Sequence, residues 1–521
     1  MKNKYLYITL LALLGVTPEA LSQSKINYAP RLVVTITIDQ LRTDYLNAFS
    51  PLYGEGGFKR LLKEGKVYSN AAYPFSPIDR VSALASLSTG VTPYFNSIVG
   101  ERWLDRETLR PVMATGQNAT PDNLQTSTLG DELKVSTEGA AKVYSIAPTS
   151  DAAIMSIGHA ADAALWLDDT KGYWVTSQYY LKDIPSWLQI YNQLHTPYTD
   201  EKNLLWEPLI PLSGTFNYFQ HAAAEQEPFS HKFSGQQRYA ELKASGLVNQ
   251  YVTDFAQHLV LQTAMGCDRI TDLLSVTYYA GTMSHKSVSN CQFELQDTYV
   301  RLDRVIADLI KSAEFLAGEG RVLFVLSSTG YTDSDADDID FAKNRIPSGV
   351  FSMQRASMLL NMYLTALFGQ AQYIDATRDG QIYLNQKLIE QRQLNRNDVL
   401  ARAEEFLSQM AGVRDVYTAS RLTMGAWVKG LDRVRAGWNI NRCGDILIEV
   451  NPGWKVVNEN GTETVNQGEA YLSYPLFIMG PEVVAERVTT PISTAALAPT
   501  LARCLRIRAP NGSREVPLVL K

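Results

Sequence analysis

The chain has one carboxylate in a position suited to chemistry and few groups to help it. Leu32-Val-Val-Thr-Ile-Thr-Ile38 is a β-branched, apolar run that ends on Asp39. Such a run predicts a buried strand of a parallel sheet. Ligands of open α/β sheets bind outside the carboxyl ends of their strands, so Asp39 is a natural first ligand for a metal. A metal needs further donors. The histidines are His159, His195, His221, His231, His258 and His285, and none follows position 285, so no late strand can supply an imidazole. No Walker A loop, Gly-x-Ser-x-Gly elbow or His-Glu-x-x-His helix occurs. Asp79, beside Arg80, could act as a nucleophile only with an activating metal or base, and reads as a loop carboxylate. The acidic run 333–340 lacks the turn glycine and terminal Glu of a calcium loop and reads as a solvated loop. His159 reads as a satisfied packing histidine.

The elements that would position these groups alternate. Further strands are predicted at 142–147, 273–279, 321–327 and 474–480. Val81 to Gly90 reads as a small-residue helix able to pack closely on a sheet. A second helix is predicted from Asp151 through His159 to Trp166, a long amphipathic one over 291–317, and a last one over 494–505. The alternation predicts an α/β fold with a doubly wound, mainly parallel sheet. Two stretches break the rhythm. Residues 169–262 are rich in aromatics, including Trp174, Trp187 and Trp206, and read as a cap with its own core. Residues 342–466 read as a small α+β insertion, with strands at 381–385, 415–417 and 444–450 and a helix over 396–410.

In this order the motifs resemble the alkaline phosphatase superfamily, and among its members the exported alkaline phosphatases with a threonine nucleophile. The resemblance rests on Ile36-Thr-Ile-Asp39-Gln40, Tyr53-Gly-Glu-Gly-Gly-Phe58, Ser88-Thr-Gly90 and Gly100-Glu-Arg-Trp103. It continues through Gly158-His-Ala-Ala-Asp162, Asp297-Thr-Tyr-Val-Arg-Leu-Asp303, Gly444-Asp445 and Ala509-Pro-Asn-Gly512. It implies two zinc ions that clamp the attacking and leaving oxygens of phosphoryl transfer. Carried over residue by residue, only the early ligand, Asp39, is kept. Arg80 falls where the threonine should be. The Asp-x-x-x-His pair falls on Ala280 and Ser284, the Asp-His dipeptide on Thr329 and Gly330, and the late His on Ser473. The phosphate-contacting Asn falls on Glu101, and the Lys-x-Arg pair on Thr149 and Asp151. Arg80 could supply positive charge to Asp39 in place of a metal, while Glu101 and Asp151 should repel phosphate. Asp39 then reads as structural, paired with Arg80 or capping a helix, because zinc sites need three or four ligands. His285 sits one residue past the expected His, but Ala280 and Gly281 offer no matching Asp.

The expectation is a pseudoenzyme with no catalytic residues and no cofactor, where active relatives use zinc. A weak or relocated phosphomonoesterase or phosphodiesterase is the alternative. The charged then apolar start predicts a signal peptide over 1–22, and hence a periplasmic or secreted protein. No later segment has the length of a membrane span. The mild net charge of −6 gives no reason to expect nucleic acid, so the expected partner is an envelope protein or glycan. Cys267, Cys291, Cys443 and Cys504 fit no zinc motif and could be either disulfides or free thiols. The predicted division is a core of 23–168, 263–341 and 467–521, a cap of 169–262 and an insertion of 342–466.

Overall fold

The computed structural model describes residues 29–199, 204–210, 229–286, 288–332, 345–425, 430–458, 461 and 473–521. The expected signal peptide and the acidic run 333–340 lie outside the described residues. The strands are β1 (Leu32–Asp39), β2 (Lys66–Ala72), β3 (Val143–Ala147), β4 (Ala163–Leu167), β5 (Trp174–Val175), β6 (Asp272–Tyr279) and β7 (Val322–Ser328). They are followed by β8 (Ile374–Arg378), β9 (Gln381–Leu384), β10 (Val413–Thr418), β11 (Ile446–Val450), β12 (Tyr474–Met479), β13 (Glu486–Val488) and β14 (Ile492–Ser493). The helices that matter below are α1 (Phe58–Glu64), α2 (Arg80–Thr89), α3 (Leu129–Ser136), α4 (Ser150–Ile157) and α5 (Ser186–Leu194). Later in the chain come α6 (Val248–Thr263), α7 (Gln292–Ala317), α8 (Met353–Phe368), α9 (Arg396–Leu407) and α10 (Leu497–Leu505).

A ten-stranded sheet runs β13-β2-β12-β7-β1-β6-β3-β4-β5, with β14 pairing β2 off that path. β1 lies at its centre, parallel to both β6 and β7, with Asp39 opposite Tyr279 and Ile38 opposite Ser328. Every residue of β6 and β7 is buried, as a sheet covered on both faces requires. The sheet is mainly parallel, and β12 enters it antiparallel to both β7 and β2.

Strand parity decides which side each β1 residue faces. Leu32, Val34, Ile36 and Ile38 join the apolar layer under α1, α6 and α7. Val33 joins the opposite layer, under α2, α4 and α10. Asp39 shares the parity of Val33, and so is directed toward α2 and α4.

Two expectations are corrected. The segment after Asp151 is not one helix to Trp166. α4 ends at Ile157, Gly158 turns the chain at φ 84°, and Ala163–Leu167 is β4, parallel to β3. The Asp131 carboxylate ends the helix by accepting the backbone N–H groups of His159 and Ala160 at 2.8 and 2.6 Å. Ala-Ala-Leu-Trp-Leu is a short apolar run whose periodicity does not separate strand from helix. The described aromatics of 169–262 also build no separate core. Trp174 and Trp206 are buried in the same apolar layer as β1, and Trp174 stacks on Phe255 of α6 at 4.3 Å.

A second sheet, β8-β9-β11-β10, carries its own apolar cluster with α8 and α9. Asp445, wholly buried, holds this unit together by accepting from Arg396 at 2.7 Å, Gln386 at 2.8 Å and the Leu384 N–H at 2.9 Å, and ties it to the rest by accepting from Arg106 at 3.1 Å. All four cysteines are free thiols. No helix among the described residues is long and apolar enough to cross a membrane.

Candidate functional site

The carboxyl ends of β1, β6 and β7 meet the N-termini of α2 and α4. Asp79 caps α2: its Oδ1 accepts the Ser82 N–H at 2.8 Å while Ser82 reciprocates to the Asp79 backbone. Its other oxygen accepts the Glu101 N–H at 2.6 Å. Both carboxylate oxygens of Asp79 are therefore occupied in holding backbone. The cap fixes Arg80 as the first residue of α2. A cation is disfavoured there by the helix dipole, so it needs anions around it.

Those anions are Asp151 and Asp39. The Arg80 guanidinium donates from Nη2 to Asp151 Oδ2 at 2.6 Å and from Nε to the same oxygen at 3.3 Å. Nη1 stands 3.6 Å from Asp39 Oδ2. The other oxygen of Asp39 accepts from the Thr329 hydroxyl at 2.9 Å, and Thr329 in turn accepts the Gln40 N–H at 2.9 Å. Burial favours neutral Asp151, but the Arg80 charge and the hydrogen bonds outweigh it and hold its pKa below the carboxylate range. Burial likewise opposes the Arg80 charge, and Asp151 and then Asp39 reverse the effect, so Arg80 is held firmly protonated.

The sequence pointed to an Arg80–Asp39 pair, and the geometry refines it. Asp151 is the closer partner, and Asp39 is the second carboxylate of a bridged trio. The chain gave a signal of this: opposite charges in the first turns of two helices flanking the same strand. Thr149 is the N-cap residue of α4 and makes no side-chain cap. Glu101 is exposed at the rim. Protein around its carboxyl, then the Asp151 charge, raises its pKa against the opposing pull of Arg80 and Arg102.

Of the remaining predicted positions, Ala280 and Thr329 contact Asp39, and the others are backbone or small groups with partners of their own. The Ala280 N–H donates to the Asp39 carbonyl at 2.8 Å. Ser284 and His285 lie in a short turn with φ of 49° and 56°, and the His285 ring packs edge-on to Tyr279 at 6.1 Å. Gly330 has φ 72°, and a Cβ there would come within 2.7 Å of the Tyr73 ring. Tyr73 is held by donating to the Ser328 carbonyl at 2.8 Å and by packing on Tyr474 at 5.9 Å. The Ser473 carbonyl accepts from the Thr43 hydroxyl at 2.9 Å. Sequence reasoning missed Tyr73, whose ring fills the space that a side chain at 330 would need.

The donor set does not fit zinc. Among the described residues no group of three or more His, Cys, Asp or Glu is placed to hold a metal ion. The one retained carboxylate faces a guanidinium, a permanent cation that a divalent ion would have to displace.

Comparison with known proteins gives the family and the fold. A family model for type I phosphodiesterase / nucleotide pyrophosphatase matches residues 33–471. The chain belongs to that family. It is 29% identical over 519 residues to alkaline phosphatase PafA of Elizabethkingia meningoseptica, covering 94% of each chain. It is also 29% identical over 536 residues to a protein of Myroides odoratus named "Calcium-transporting ATPase", again over 94% of each. The crystal structure of wild type PafA superposes with a TM-score of 0.78 at 26% identity, covering 95% of this chain and 99% of that one. Murine ectonucleotide pyrophosphatase / phosphodiesterase 5 shares the fold, with a TM-score of 0.51 at 11% identity over 92% and 95% of the two chains. This family member is therefore an alkaline phosphatase-superfamily protein with the large, mainly parallel sheet of that fold.

Proposed function

We propose that this chain is a non-catalytic member of its family, exported from the cytoplasm, which acts by binding an envelope protein or glycan. The single observation that carries the reading is the Arg80 guanidinium lying between Asp39 and Asp151. Two-metal phosphoryl transfer needs cations that can be approached by both the attacking and leaving oxygens. A guanidinium already bound by two carboxylates has its charge largely neutralised, and the position offers no nucleophilic hydroxyl. Glu101 adds further negative charge at the rim, which opposes entry of a phosphate dianion. In this reading the segments 23–168, 263–341 and 467–521 form the retained core, with 169–262 and 342–466 inserted.

The second reading, a weak phosphomonoesterase or phosphodiesterase, is favoured by the alkaline phosphatase names of relatives that match nearly the whole chain. Steady-state assay with an aryl phosphate and an aryl phosphodiester, with zinc added, separates the two. The non-catalytic reading expects the same background rate for the wild type and Asp39→Asn. Turnover that disappears in Asp39→Asn supports the second reading and overturns the first.

A further inference from the structure

Where the unit of the second sheet meets that of the main sheet, the segments 93–99, 438–443 and 510–514 come together. Between them they carry two guanidiniums, Arg442 and Arg514, and no carboxylate. Asn439 Nδ2 donates to the Ser97 hydroxyl at 3.1 Å, and Arg442 Nη1 donates to the Ser97 carbonyl at 2.6 Å. The Arg442 guanidinium lies over the buried Trp103 ring, 4.3 Å from its centroid. Arg514 lies over the Phe95 ring at 4.8 Å, and Phe95 meets Tyr94 edge-on at 5.0 Å.

Arg442 is short of an anion. It is half-buried and forms no ion pair among the described residues, whereas Arg106 and Arg396 of the same region both hold Asp445. A carbonyl and an aromatic face give it only partial negative charge. Burial pulls its pKa down to about 10, and only the Cys443 thiol acts the other way. Its Nε and Nη2 have no acceptor among the described residues and are not sealed from solvent, so both can donate to an arriving group. Arg514 is exposed and pairs with no carboxylate either, its neighbour Glu515 included. Around these cations the surface is apolar: Tyr94, Phe95 and Ile440 keep 47%, 41% and 50% exposure. Aromatic residues and Arg are the types that carry most energy at protein interfaces. A free phosphate would use the cations and leave the aromatics uncovered. A polypeptide with carboxylates beside apolar side chains satisfies both.

We propose that this face docks an acidic, apolar segment of a partner protein, with one carboxylate on Arg442, a second on Arg514, and apolar side chains against Tyr94, Phe95 and Ile440. The proposal deepens the binding reading above by naming a face and a partner chemistry, and the two fail separately. Zinc-dependent turnover would overturn that reading and leave this face standing; a face that binds no acidic peptide would leave that reading with a partner elsewhere.

The test presents a displayed library of random peptides, about a dozen residues long, to the immobilised full chain after depletion on the Arg442→Gln/Arg514→Ala double variant. Recovered peptides are synthesised and titrated by fluorescence anisotropy, each beside a copy in which every carboxylate is replaced by its amide. The expected peptides place Asp or Glu next to aromatic or aliphatic residues. Their affinity should fall about tenfold or more in Arg442→Gln and in the amide copies, severalfold in Arg514→Ala and Phe95→Ser, and further as salt is raised. Arg514 and Phe95 are exposed, so their replacement leaves the core intact and guards against misreading a folding defect in Arg442→Gln. Arg442→Lys, which keeps the charge, should recover part of the loss. Phosphatidylglycerol vesicles test an anionic lipid surface as the occupant. The proposal is overturned if no peptide is recovered, if the amide copies bind as well, if the variants bind as tightly as the wild type, or if the vesicles bind and the peptides do not.

Discussion

Replacing Arg80 by Met keeps most of the side chain's volume and removes its charge. It leaves Asp39 and Asp151, both largely buried, without their shared cation. Breaking a buried ion pair by removing one partner costs roughly 3–5 kcal/mol. The Arg80 side chain retains 24% exposure, which lets water reach the site, so the lower end, about 3 kcal/mol, is the expected loss at pH 7. The pH dependence follows from sign. In the wild type the Asp151 pKa is depressed, so its stabilisation is complete above the unfolded value of about 3.9 and is lost as pH falls through the lower folded value. Without Arg80, desolvation, its largest opposing cause gone, is countered only by hydrogen bonds such as that from the Ala152 N–H at 2.8 Å, and the folded pKa rises. The deficit should therefore be largest at neutral pH and shrink as the solution is acidified toward about pH 4. Adding Asp151→Asn to Arg80→Met should recover about 2 kcal/mol, since the stranded charge is then removed. Urea unfolding followed by tryptophan fluorescence, in the wild type, both single variants and the double variant, measures all three quantities. An Arg80→Met protein as stable as the wild type at pH 7, or a deficit that does not change with pH, would refute the electrostatic account of the trio.

Three further outcomes are expected. Asp79→Ala removes both the α2 cap and the hold on the Glu101 N–H, and should cost about 1–2 kcal/mol in the same urea measurement. His159 faces an acceptor at each ring nitrogen, the Asp131 carboxylate at 3.1 Å and the Leu124 carbonyl at 3.0 Å, and its hydrogen bond to Asp131 raises its pKa. Its extra stabilisation is full below the unfolded value of about 6.5 and is lost as pH rises through the higher folded value; His159→Gln should thus be less stable by about 1 kcal/mol at pH 6, with the gap closing in alkali. Asp445→Ala strands Arg106 and Arg396 and should cost roughly 3–5 kcal/mol, seen as early tryptic cleavage within 345–458 before the main sheet is cut.

The central sheet could be read from the sequence because its strands are buried on both faces and appear as unbroken apolar runs: β1, β3, β6, β7 and β12 all fall where those runs lie. β2 went unread, since Lys66-Val-Tyr-Ser-Asn-Ala-Ala72 mixes polar and small residues, and its place in the sheet comes from pairing with β12 and β13. β4 read as helix because five apolar residues carry no decisive period, and the turn that separates it from α4 depends on Asp131, far away in sequence. At the site, a single chain could show which residues occupy the ligand positions. It could not rank Asp39 against Asp151 as the partner of Arg80. That ranking depends on how the N-termini of α2 and α4 converge, and their packing is set partly by Ser88 donating to the Met155 carbonyl at 2.7 Å. Tyr73 behind Gly330 was hidden for the same reason: the contact joins segments more than 250 residues apart.

The most direct measurement is the zinc content of the full chain after dialysis against excess zinc and removal of free metal, by inductively coupled plasma mass spectrometry. With Arg80 between Asp39 and Asp151, the account predicts far less than one zinc per chain, unchanged by Asp39→Asn. One or two zinc ions per chain, lost in Asp39→Asn, would contradict it.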